Sequence, residues 1–103
     1  VIPEFHNGMT LYARQLNLML GVLNEVLTER LLPPVPTYKN GQPLPKEEWV
    51  LWYDRINAAA KVFDVTVSWS FDPNTFENDI TLVTVPMLNE YRQNILALHE
   101  AIA

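Results

Sequence analysis

Apolar residues recur along this chain with a spacing that changes from block to block, and the changes mark out its elements. In the stretch Thr10 to Leu32, Leu16, Leu20, Leu23 and Leu27 follow four-three-four steps, which places them on one face of a helix with about 3.6 residues per turn. Tyr12, Leu16, Met19, Leu23 and Val26 form a second, overlapping set. Leu11, Leu18 and Val22 add apolar surface elsewhere, so the pattern predicts a helix over 10–32 that is mostly buried. Thr10 suits the N-cap, with Asn7 its rival, while Arg30 in the last turn and Pro33-Pro34 after it mark the end. Asn17 and Asn24 lie seven apart on one side of this helix. In a helix–helix interface they would fix register as paired amides; alternatively, both face water beside the seam.

Residues 1–9 read as an entry arm, in which Pro3 disfavours helix and Asn7-Gly8 marks a turn. Residues 33–45, PPVPTYKNGQPLP, hold five prolines and predict a stiff, extended connector. A second helix is expected over 46–63. Pro45 starts it, Glu47 and Glu48 sit near its positive end, and Trp49, Trp52, Tyr53, Ile56, Ala59, Ala60 and Phe63 make its apolar face. The period then drops to two: Val65, Val67, Trp69 and Phe71 alternate with Thr66, Ser68 and Ser70, the pattern of a half-buried strand. Ile80 to Val85 is rich in β-branched residues, so a β-hairpin is expected over 64–85, to be covered by the helices or extended by another chain. Pro86 opens a last helix over 86–103, with Leu88, Tyr91, Ile95, Leu98 and Ile102 as its stripe and no stop signal. The expected class is α+β and mainly helical, ordered helix, helix, β-hairpin, helix in a single small domain.

Composition narrows the function. A chain of 103 residues, 49% hydrophobic, with three Trp, four Tyr and four Phe, is long and apolar enough to fold around one core. A net charge of −5 and seven scattered Lys and Arg argue against a nucleic-acid partner. The absence of cysteine excludes disulfides and thiolate metal sites and leaves the compartment open. The most apolar run, Leu16 to Leu23, falls short of the ~20 residues of a membrane span and lacks the basic flank of a signal peptide, so a soluble chain without a membrane partner is expected.

Candidate chemistry is thin. Trp49, Trp52 and Tyr53 would make an aromatic platform for a sugar or a proline-rich peptide, although aromatics at helical spacing more often belong to a core. Pro33 to Pro36 contains a PxxP pattern, which reads as a docking ligand or as an internal connector lying on the domain's own aromatics. The loop Asp72 to Asp79 gathers Asp72, Glu77 and Asp79 with Asn74 and Asn78. It departs from a calcium loop at Phe76, Glu77 and Val83 and fits a solvated acidic turn. His6 and His99 are not at metal-ligand spacing, Ser68 and Ser70 lack the glycines of a nucleophile elbow, and Gly8, Gly21 and Gly41 form no phosphate loop. Glu47 or Glu48 with Asp54 reads as a solvated helix face before it reads as an acid/base pair. No catalytic, cofactor or metal site is expected, and the chain reads as non-enzymatic.

Phe5-x-x-Gly8-x-x-Leu11-x-Ala13-x-x-Leu16-Asn17 resembles a pattern near the start of appendage proteins of tailed bacteriophages, where a glycine turn leads into a helix that opens Leu-Thr-Ala and closes Leu-Asn. It departs from that pattern where Tyr12 replaces Thr. The resemblance implies a virion structural protein whose N-terminal part attaches to capsid or tail, commonly as a trimer. It would make Leu16, Leu20, Leu23 and Leu27 the seam between copies. The expected function is a self-associating subunit, dimer or trimer, or an anchoring domain in a larger assembly, with Leu16, Asn17, Leu20, Leu23, Asn24 and Leu27 at the interface. The alternative is a small ligand- or peptide-binding domain using Trp49, Trp52 and Tyr53.

Overall fold

The computed structural model of the chain describes residues 2, 4–5, 13–39, 45–76 and 84–102. Among them are three helices, α1 (Ala13–Glu29), α2 (Lys46–Phe63) and α3 (Val85–Ile102), and a short 3-10 turn at Pro73–Thr75. The N-cap expected at Thr10 or Asn7 lies outside the described residues. α3 packs against both other helices, most extensively against α1, while α1 and α2 meet more lightly. Each helix gives one stripe to the core: Leu16, Met19, Leu20, Leu23, Val26 and Leu27 from α1, Trp49, Trp52, Ile56 and Ala59 from α2, and Leu88, Tyr91, Ile95 and Leu98 from α3. Removing each large apolar side chain from water contributes about 1.5–3 kcal/mol, so these stripes dominate stability.

The C-terminus of α1 closes in a Schellman turn. The Leu32 amide donates to the Leu27 carbonyl (2.9 Å) and the Leu31 amide to the Thr28 carbonyl (3.2 Å), while Leu32 folds back onto the core. That geometry forces Leu31 into the left-handed region, with φ of 56°. Glycine takes this position without strain; leucine does not, and Leu31 recovers nothing by burial because it is 93% exposed. Leu31→Gly is therefore expected to stabilise the chain by about 1 kcal/mol and raise Tm by about 4–8 °C, read by thermal unfolding at low protein concentration. α2 ends in the same left-handed way at Asp64 (φ 57°), a residue type that tolerates it better.

The α+β expectation is corrected here: no strand occurs among the described residues, and the hairpin expected over 64–85 is not formed by them. Val85 belongs to α3, and 80–83 lie outside the described residues. Residues 65–71 do show strict alternation of burial, along a backbone without regular structure that bends at Ser70. Val65, Val67, Trp69 and Phe71 are half-buried, and Thr66, Ser68 and Ser70 are exposed. Alternation of this kind shows that one face of an extended backbone is covered; a sheet needs a backbone partner as well. Here α3 takes the partner's place. The Asn94 amide donates to the Ser68 carbonyl (2.8 Å) and accepts from the Ser68 amide (3.2 Å). One turn earlier, the Glu90 carboxylate accepts from the Ser70 amide (2.6 Å) and from the Ser70 hydroxyl. Four residues of helix advance about 6.0 Å and two residues of extended chain about 6.6 Å, so the two side chains match alternate residues of the segment.

The same device holds the other extended segments. Asn17 clasps Tyr38 through both its amide (2.6 Å) and its carbonyl (2.7 Å), and Asn24 clasps Val35 in the same way (2.7 and 2.9 Å). Seven residues of α1 cover about 10.5 Å and three residues of polyproline-like chain about 9.3 Å, so the proline connector lies antiparallel on the flank of α1 with Val35 and Tyr38 turned inward and buried. Arg55 of α2 donates to the Pro33 carbonyl (3.0 Å). At the N-terminal arm, Asn89 clasps Phe5 (3.0 Å in both directions) and Arg92 donates to the Ile2 carbonyl (3.1 Å), which seats Ile2 and Phe5 in the core.

Candidate interaction surface

The residues singled out by spacing have interior positions. Leu16, Leu20, Leu23 and Leu27 are buried in the chain's own core, the last three at 0% exposure. Asn17 and Asn24 lie beside that stripe and are committed to the connector, neither pairing with each other nor simply facing water. Trp49 and Trp52 are also buried, and Tyr53 is half-buried against Trp69, with ring centres 4.7 Å apart. Tyr91 of α3 is the hub of this aromatic group: Trp49, Trp52, Trp69 and Phe71 surround it at 5.1–6.2 Å, Trp52 and Trp69 edge to face and Trp49 and Phe71 tilted. Its hydroxyl donates to the Trp49 carbonyl (2.8 Å), and the Trp69 indole donates to Asn57 (2.8 Å). In this arrangement the second-helix aromatics form the wall of the core, not a platform.

The polar groups are likewise engaged in structure. The Asp72 carboxylate caps the 3-10 turn, accepting from the backbone and side-chain amides of Asn74 (2.9 Å each), which lowers its pKa. The rest of the acidic loop, 77–79, lies outside the described residues. Among those described, no three His, Cys, Asp or Glu side chains are grouped so as to hold a metal ion. His99 near the end of α3 reaches Glu25 of α1 (3.2 Å), an exposed pair of the kind that contributes little stability. Burial raises the pKa of Tyr91 far above the usual phenol range, and burial with the nearby Glu48 carboxylate raises that of Tyr38. The Tyr38 hydroxyl and the Trp52 indole N–H are buried without a hydrogen-bond partner.

What remains outside is informative. The apolar sector of α1 is not buried all round: Arg14, Leu18, Gly21 and Glu25, spaced four, three and four, form an exposed stripe on the side away from the core. Leu18 is 52% exposed. Gly21 sits mid-helix, where glycine destabilises by about 1 kcal/mol relative to alanine, yet a Cβ built there meets nothing within 4 Å. Packing among the described residues therefore supplies no reason for that glycine. At the other end of α1, Leu31 stands at 93% exposure, and Val62 near the end of α2 at 48%. Sequence spacing does not single this stripe out, because Leu18 also fits a wide buried sector, although its four-three-four register with Arg14, Gly21 and Glu25 is present in the sequence.

The chain matches no protein-family model, no curated protein and no solved structure at a significant level. Among the described residues, no helix is long and apolar enough to cross a membrane.

Proposed function

We propose that the chain is a non-enzymatic structural module that self-associates within a larger assembly. The observation that carries this is the placement of large apolar side chains on the outside of a fold that already has its own buried core. Leu31 combines backbone strain with 93% exposure, and Leu18 is left half in water on a regular helical face. A partner that covers either side chain removes apolar surface from water and gains free energy by it. The clasped connector and arm support the same reading, since they hold the extended segments to the helices and give a partner a fixed surface to meet. The likeness of residues 5–17 to phage appendage proteins favours a virion as the assembly.

Light scattering on a size-exclusion column over a range of concentrations tests the proposal. The expected result is a mass that rises above the 11.9 kDa of one chain toward a dimer or trimer. A mass that stays at one chain up to about 1 mM, where even millimolar contacts register, overturns it.

A further inference from the structure

Resting on the module reading above, we infer that the outer face of α1 is a self-complementary contact, on which a second copy of this chain docks its own α1 antiparallel. The stripe Arg14, Leu18, Gly21, Glu25 is exposed throughout, and its four-three-four spacing is symmetric about a midpoint between Met19 and Leu20. When two such helices cross antiparallel about that point, Leu18 of each chain faces Gly21 of the other, and Arg14 of each faces Glu25 of the other. The apolar knob meets the one position where the helix has no side chain, and the cation meets the anion, on both sides of a two-fold axis. This is what an isologous contact requires: one patch that complements itself.

Three separate features of the chain converge on this arrangement. Gly21 destabilises α1 although a Cβ there meets none of the described residues, and the open space lets a second helix approach closely. Leu18 is the large apolar residue of the stripe and stands 52% exposed beside it. Glu25 meets His99 of α3 through one carboxylate oxygen (3.2 Å) while its side chain stays 63% exposed, and a carboxylate accepts from more than one cation. The contact uses one face of twelve residues, 14–25, on each helix, a smaller patch than the roughly 20–30 residues a side of a standard stable interface, so the pair on its own is weak and suited to repetition in an assembly.

Sedimentation equilibrium or light scattering from roughly 10 µM to 1 mM tests the contact, with far-UV circular dichroism to confirm folding of each variant. Gly21→Gln is the decisive single change. It puts a better helix former at the site, so the chain is expected to unfold at higher temperature while its self-association falls at least tenfold. Arg14→Glu and Glu25→Arg are each expected to be monomeric alone, because one faces carboxylate with carboxylate and the other guanidinium with guanidinium. Mixed in equal amounts they should form a mixed dimer with at least the wild-type affinity. A wild-type chain that self-associates while Gly21→Gln leaves its mass unchanged, or while the charge variants associate as well alone as mixed, overturns the contact and leaves the module reading standing. A wild-type chain that stays monomeric across the range overturns both.

Discussion

Leu20→Asp is expected to unfold the chain. Leu20 is fully buried, on the stripe of α1 that faces α3. The substitution removes its packing and places a carboxylate inside the apolar core cluster. An unpaired buried charge with a lost Leu side chain costs more than about 5 kcal/mol, comparable to the whole stability of a domain this size. Loss of the far-UV helical signal at low micromolar concentration is the expected readout. Leu18→Asp is the matched control: same helix, same change, two residues away on the wet side, with an expected effect on the monomer within about 0.5 kcal/mol. The contrast separates two meanings of an apolar helix that sequence spacing alone confuses. A Leu20→Asp chain that kept its helical content and only lost mass would place this stripe between copies and contradict the packing described above.

The helical periodicities were the legible part of this chain. Leu16, Leu20, Leu23 and Leu27 share a face because of their spacing, and Trp49, Trp52 and Ile56 do the same on α2, and all are buried. Which body covers that face was not legible, because a stripe facing its own α3 and a stripe facing a second copy have the same period. Residues 65–71 illustrate a different limit. Period-two burial was correctly visible in the sequence, but the step from extended chain to strand assumed a backbone partner. The partners are the side chains of Asn94 and Glu90, and Asn94 lies 26 positions from Ser68. The remaining clasps join residues 11, 21 and 84 apart and follow no local pattern, so Asn17, Asn24 and Asn89 look like ordinary polar helix residues until the chain is folded. The seven-residue interval between Asn17 and Asn24 was a real signal of a shared task, since it matches two anchor points on the connector.

Asn24→Leu is expected to cost about 3 kcal/mol, far more than an ordinary substitution at a half-exposed helix position. The side chain keeps its approximate shape, but the Val35 amide and carbonyl, which Asn24 meets at 2.7 and 2.9 Å, are left without partners at a residue only 3% exposed. Each orphaned backbone group costs about 1–3 kcal/mol. The denaturant midpoint should fall accordingly, and trypsin should cut sooner after Lys39 as the connector lifts. Asn24→Asp adds a signature that packing alone does not produce. Ionised, the new carboxylate still accepts from the Val35 amide but turns its second oxygen against the Val35 carbonyl; protonated, it donates to that carbonyl and restores the clasp. Folding therefore favours the protonated form and raises the carboxyl's pKa above its unfolded value near 3.9. The stability supplied by the clasp in this variant is fully present below about pH 3.9 and is lost as pH rises through the higher, folded-state pKa. Urea unfolding should show the gap between Asn24→Asp and the parent narrowing from pH 7 to pH 4, while the gap for Asn24→Leu stays constant. A pH-independent deficit for the aspartate would mean that Asn24 fills space and does not stand in for a strand.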